Sequence, residues 1–258
     1  LGKIKKYMVL DTETTRPFIE GVDTNGMIFP MVYDIGYVIV DKKGVVYKKV
    51  NRVVQEIFYN KPMMSKAFFS DKYDGYLKAI QEGKLVADSW NNIMNMIQTD
   101  LQECECMVAY NSAFDNRAIK KTAEYIKSLY NNTLDRYYEK VTYVTVNFGD
   151  KLKNGKPMKN DIIDLWGLCC KYLINNDRYK QFCVDNEYVS EAGNYRTGAE
   201  IVYRYLFKDN EFIEDHTALS DAQIEAQILT KVLEKKGNIK NIQNIFFPFK
   251  LLGNIYKD

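Results

Sequence analysis

Apolar positions in the first sixty residues fall in short runs, not at helical spacing. Tyr7-Met8-Val9-Leu10 is one such run, followed at once by the acidic residues Asp11 and Glu13. Val32 to Val40 is β-branched and aromatic, ends at Asp41-Lys42-Lys43-Gly44, and Val45 to Val54 resumes in the same composition. Runs of this kind bounded by turn residues predict strands, with Asp41 to Gly44 as a hairpin turn. Helical periodicity begins at Trp90, with Ile93, Met94 and Ile97 at i+3, i+4 and i+7 and Leu101 continuing the face. Cys106 to Tyr110 predicts a further short strand, and Ile119, Ala123, Ile126 and Tyr130 predict a helix beginning near Asp115. Val141 to Phe148 alternates β-branched and aromatic residues before a turn-rich, Lys-dotted stretch from Gly149 to Asn160, which predicts a β-hairpin around 139–160. Ile162 to Leu173 predicts a helix, as does a segment starting near Thr197. The last helix is expected to start at Ser220, which forms a capping-box pattern with Gln223, and Ala222, Ala226, Leu229 and Leu233 give it one apolar face. Strands first, then helix and strand in alternation, describe an α/β domain with a mixed sheet. The economical organisation is one domain over residues 1–240, an insertion at about 131–160, and a hydrophobic tail, 241–258, packed on the domain or on a partner.

Composition adds exclusions. The chain has 258 residues, 46% hydrophobic and 27% charged, which excludes collagen-like, mucin-like and disordered classes. Five cysteines stand in no C-x-x-C pattern: Cys104 and Cys106 form C-x-C, Cys169 and Cys170 are adjacent, and Cys183 is alone. That reads as reduced thiols in a cytoplasmic protein, not a disulfide framework or a zinc site. No run approaches the roughly 18 apolar residues of a membrane span. The basic start, Leu1 to Lys6, leads directly into a strand-like run, so neither a signal peptide nor a membrane partner is expected. A net charge of +2 discriminates little, because the carboxylates of an acidic metal site offset basic flanks elsewhere.

The candidate chemistry lies at the ends of elements. Asp11 and Glu13, two apart on a strand, point to the same face and aim two carboxylates at one spot. Asp115, in Asn111-Ser112-Ala113-Phe114-Asp115, falls at a strand-to-helix junction, where the crevice of an open α/β sheet lies. His216 is the only histidine and precedes the last helix, with Asp221 five residues later in that helix's first turn, where the macrodipole favours an anion. Taken singly, each has a plain structural reading: a solvated strand end, a capped helix start, a satisfied histidine. Together they supply four hard carboxylates suited to two Mg²⁺ or Mn²⁺ ions and one imidazole suited to take a proton from water. Two such ions stabilise the attacking and leaving oxygens of a phosphoryl displacement.

D-x-E-T-T at Asp11 to Thr15, N-x-x-F-D at Asn111 to Asp115 and H-x(4)-D at His216 to Asp221, in this order, resemble the three motifs of the DEDDh branch of the DnaQ-like proofreading 3′→5′ exonucleases. Ile163-Asp164-Leu165 resembles a subsidiary segment of that family, and the similarity spans roughly residues 6–235, convincingly at the motifs. The resemblance implies a ribonuclease-H-like fold and two divalent ions on Asp11, Glu13, Asp115 and Asp221. It also implies His216 as general base and release of nucleoside 5′-monophosphates from a free 3′ end. Thr14, Thr15, Asn111 and Phe114 match positions that meet the terminal nucleotide. Arg16 departs from the glycine often found there, and the span from Asp115 to Asp221 is long, a surplus that residues 131–160 account for. A sister branch carries Y-x(3)-D in place of the histidine motif; Tyr205/Asp209 is the match in the right part of the chain. The expected partner is nucleic acid with a free 3′ end, with DNA favoured over RNA, and a DNA polymerase as a second. The alternatives are an exoribonuclease or oligoribonuclease on the same scaffold and a non-catalytic nucleic-acid-binding, polymerase-accessory module.

Other signals carry less. Lys151, Lys153, Lys156 and Lys159 suit either a phosphate backbone or a solvated hairpin tip. The aromatic tail from Ile245 to Leu252 suits packing on the domain more than docking to a partner.

Overall fold

The computed structural model of the protein describes residues 4–15, 30–65, 67, 69–131, 162–237, 239, 245 and 247–256. Arg16, residues 132–161 with the expected hairpin and its lysines, and Phe246 lie outside the described residues.

The first strand, β1 (Lys6–Thr14), forms an antiparallel ladder with β2 (Val32–Asp41), which pairs in turn with β3 (Val46–Val54). The hairpin turn forms where the sequence places it, closed by Asp41, whose carboxylate accepts from the Lys43 and Val45 backbone amides. β4 (Val86–Asp88) adds in parallel beyond β3. On the other side, β5 (Met107–Ala109) and then β6 (Ile162–Asp164) add in parallel to β1. The order is β4-β3-β2-β1-β5-β6. This mixed sheet flanked by helices, with an antiparallel β1–β2–β3 unit extended in parallel through β5 and β6, is the expected ribonuclease-H-like architecture.

Helices among the described residues are α1 (Gln55–Phe58), α2 (Lys61–Met64), α3 (Tyr73–Gln81), α4 (Trp90–Leu101), α5 (Ser112–Asn131), α6 (Leu165–Tyr172), α7 (Asp177–Asp185), α8 (Ala199–Phe207) and α9 (Ala218–Lys236). The alternation of β1 assigns them to two layers. Met8 and Leu10 join a core with Trp90, Ile93, Ile119 and Ile126 of α4 and α5. Tyr7 and Val9 join the opposite core with Leu168, Val202, Ala222 and Leu229 of α6, α8 and α9. The central strands are therefore buried on both faces, as their nearly continuous apolar character requires.

Several boundaries differ from expectation. Ile162 to Asp164 is strand, not helix, and α6 starts only at Leu165 because Asp164 caps it by accepting from the Gly167 amide at 3.1 Å. A short apolar run leaves strand and helix undecided until a neighbouring strand pairs with it. α9 begins at Ala218, two residues before the expected Ser220 box; Thr217 makes no side-chain cap bond, and Asp34 of β2 accepts the Ala218 amide at 3.1 Å instead. α5 starts at Ser112, whose amide donates to Asp164 at 3.3 Å, so that Asp115 lies in its first turn.

All five cysteines are free and buried. Trp90 is fully buried; Trp166 is partly buried and donates through Nε1 to Thr197 Oγ1 at 2.8 Å. A 3₁₀ turn, Pro248–Leu252, lies against α6, with Phe249 stacked on Trp166. Among the described residues no helix is long and apolar enough to cross a membrane.

Candidate active site

Side-chain parity on β1 continues past its apolar run. Asp11 and Glu13 share the face of Tyr7 and Val9 and so point toward α9, while Thr12 points toward α5. In the β1–β2 ladder Asp11 stands opposite Gly36 and Glu13 opposite Asp34. The missing side chain at Gly36 lets α9 approach: a Cβ there would meet Leu219 N at 2.1 Å and the Ala218 carbonyl carbon at 2.2 Å. That contact seats the first turn of α9, and with it Asp221, over the end of β1.

Carboxylate oxygens of Asp11, Glu13 and Asp221 all lie within 4.8 Å of one another, and Asp11 is half-buried while the other two are buried. Asp115 comes from the opposite layer, held by the Thr12 hydroxyl, which donates to its Oδ1 at 2.7 Å. His216 sits at the rim, with Nδ1 3.9 Å from both Asp221 Oδ2 and Glu214 Oε2. The structure thus brings together Asp11, Glu13 and Asp221, sets Asp115 beside them, and holds His216 against Asp221.

The electrostatics of this arrangement oppose ionisation. Burial first, then the charges of Glu225, Asp115, Glu13 and Asp221, raise Asp11 well above the usual carboxylate range. Burial and the charges of Asp221 and Asp34, against the pull of Lys72, push Glu13 up to about 9. Burial likewise pushes Asp115 and Asp221 up to about 7, against the Thr12 hydrogen bond and Lys72 respectively. Among the described residues, Asp221 Oδ1 is buried with no hydrogen-bond partner. A set of hard oxygens crowded until none ionises freely, one of them orphaned, fits a divalent cation, which would supply the missing positive charge.

The remaining candidates occupy the surroundings. Thr14 follows a bulge in the β1–β2 pairing and is buried. The Thr15 hydroxyl accepts the Met31 amide at 3.0 Å, so it serves the fold. Asn111 has φ +56°, a left-handed turn position that asparagine tolerates, and its carbonyl accepts the Phe114 amide at 2.8 Å. Phe114 is exposed beside Asp115. Tyr205 of the sister-branch pattern lies on α8 away from the cluster, packed edge-on against Tyr179.

Four residues facing the cluster escaped the sequence reading. Glu225 is one helical turn beyond Asp221 on α9, fully buried, and accepts the Tyr110 amide at 3.2 Å; the i+4 spacing was the signal for it. Asp34 interrupts an apolar strand run, is fully buried, and accepts from Tyr76 Oη at 2.6 Å, from Asn51 Nδ2 and from the Ala218 amide. Glu214 precedes His216 by two, and burial pushes it up to about 7. Lys72, with Nζ 3.4 Å from the His216 carbonyl, carried no local signal.

No protein-family profile matches the chain, and none of the curated proteins compared with it does. Among solved structures it is similar to a zinc-bound complex of E. coli Exonuclease I with single-stranded DNA, at 13% identity and a TM-score of 0.47, covering 91% of this chain and 42% of the other. A similar likeness links it to Exonuclease I of Methylocaldum szegediense, at 12% identity and a TM-score of 0.46, covering 95% and 42%. The chain therefore spans about two fifths of the length of these proteins. At such scores the likeness is loose, and the fold stands on the strand order and register described above.

Proposed function

We propose that this chain is a metal-dependent 3′→5′ exonuclease that hydrolyses single-stranded or frayed DNA ends and releases nucleoside 5′-monophosphates. The observation that carries the reading is the convergence of Asp11, Glu13 and Asp221 within 4.8 Å beside Asp115, with the single histidine 3.9 Å from Asp221. The order of the three motifs along the chain supports the same assignment. Bound Mg²⁺ or Mn²⁺ would supply positive charge to the attacking and leaving oxygens of the phosphodiester.

On this reading Asp11, Glu13, Asp115 and Asp221 hold the ions. His216 is partly exposed at the rim and would act as general base on the attacking water. Thr14, Asn111 and the exposed Phe114 flank the cluster and would meet the terminal nucleotide. Thr15 supports them from within the fold. A DNA polymerase is the expected partner in a proofreading role.

The test is digestion of a 5′-labelled single-stranded DNA with Mg²⁺ or Mn²⁺, beside an EDTA control, the Asp115→Ala protein and a matched RNA. The expected result is a ladder shortening from the 3′ end on DNA and absent in both controls. Faster shortening of the RNA reassigns the chain as an exoribonuclease. Metal-independent binding of either strand without turnover makes it a binding module.

A further inference from the structure

His216 has φ +49°, in the left-handed region that a non-glycine residue occupies only when its surroundings hold it there. Its loop is gripped from one side by α8: Arg204 donates to the Phe212 carbonyl at 2.7 Å, and Glu200 accepts the Glu214 amide at 2.9 Å. The other side is held by a segment preceding α3. There Ala67 bridges Thr15 at the end of β1, and the 3₁₀ turn Ser70–Lys72 follows Phe69. The Phe69 ring lies flat on the His216 imidazole, with centroids 4.5 Å apart and planes 13° from parallel. Lys72 Nζ lies 5.4 Å from the centre of the same phenyl ring and 3.4 Å from the His216 carbonyl.

We propose that Phe69 is a positioning residue for His216, a flat support that fixes the plane of the imidazole while Lys72 tethers its backbone. The proposal rests on the exonuclease reading for its kinetic consequence and on geometry alone for the packing. An imidazole rotates readily about its broad second side-chain torsion. On a partly exposed loop only contact with another surface selects one plane, and a stacked ring does so without taking either nitrogen as a partner. Both nitrogens then stay available, Nδ1 toward Glu214 and Asp221 and Nε2 for the proton transfer. Phe69 thus joins the first motif to the third, since its segment pairs with Thr15 and its ring carries His216.

The experiment uses the fact that the chain has one histidine, so its imidazole proton resonances need no assignment. In the parent protein the phenyl ring current should shift the His216 carbon-bound protons upfield. Phe69→Leu should move them downfield and lower kcat about tenfold or more, within the hundredfold that misplacement by an ångström costs, with KM for the oligonucleotide unchanged. Phe69→Tyr should restore both values. Phe69→Met keeps the bulk without the ring and repeats the test if the leucine variant does not fold. Unmoved resonances in a folded Phe69→Leu or Phe69→Met protein overturn the proposal, as does an unchanged kcat. An inactive parent overturns the exonuclease reading and the kinetic role together, and the resonances still decide the packing.

Discussion

Asp221 is the residue on which the site's constraints meet. It belongs both to the group with Asp11 and Glu13 and to the group with Glu214 and His216, and one of its oxygens is buried without a partner among the described residues. A buried charge without compensation is costly, so this carboxylate weakens the metal-free protein while providing what a cation needs. Asp221→Asn is expected to lower ion affinity and exonuclease rate by more than about 100-fold, beyond the loss of an outer partner. Its melting temperature in EDTA should equal or exceed that of the parent. Calorimetric ion titration and thermal melts check this, and retained ion affinity would remove Asp221 from the ligand set. Asp11, Glu13, Asp115, His216 and Asp221 were legible as candidates because each lies within a few residues of the end of an element. Glu225 was equally legible from its spacing, but Lys72 and Phe69 reach the site through space alone.

Elements carry the acids to one place by capping one another. The Ala218 amide of α9 goes to Asp34 on β2, the Ser112 amide of α5 goes to Asp164 on β6, and the Trp90 amide of α4 goes to Glu56 on α1, 3.1 Å from both its oxygens. A helix start set from another strand is invisible to a local motif, which is why the Ser220 box placed α9 two residues late. It also fixes the angle at which the first turn meets the sheet. Gly36 is the other half of that seat. Gly36→Ala is expected to destabilise the fold by about 1–3 kcal/mol, since the added methyl displaces helix backbone. It should lower activity at saturating metal as well, because the displaced turn carries Asp221. Urea melts alongside the oligonucleotide assay test this; full stability in the variant would show that α9 does not need this close approach.

At the scale of the whole molecule, the site is a concentration of raised carboxylates. Asp34 is pushed up to about 6, Asp115 and Asp221 to about 7, and Glu13 to about 9, each with burial as the first cause. In the unfolded chain such groups lose their protons near pH 4. Because the folded values are higher, the unfolded state releases protons first as pH rises. The stability these groups contribute is therefore complete below about pH 4, falls as pH rises above that, and is gone once pH has passed the folded values of about 6 to 9. The metal-free protein should accordingly melt at falling temperature between about pH 5 and pH 9. Mg²⁺ or Mn²⁺ should recover most of the loss at the alkaline end, by binding the native state alone. A pH-independent melting temperature in EDTA would contradict the crowding of these acids.

The sequence by itself determined the central hairpin, α4, the apolar face of α9 and the order of the three acidic motifs. Strand alternation, helical periodicity and turn residues are written in neighbours a few positions apart, and local sterics and burial suffice to read them. Tertiary structure alone decided that Ile162 to Asp164 pairs as a strand, that α5 and α9 start on carboxylates from other strands, and that Asp34, Lys72 and Phe69 surround the candidate site. Those outcomes depend on register across the sheet and on the approach of layers, in which residues distant along the chain satisfy one another's buried polar groups.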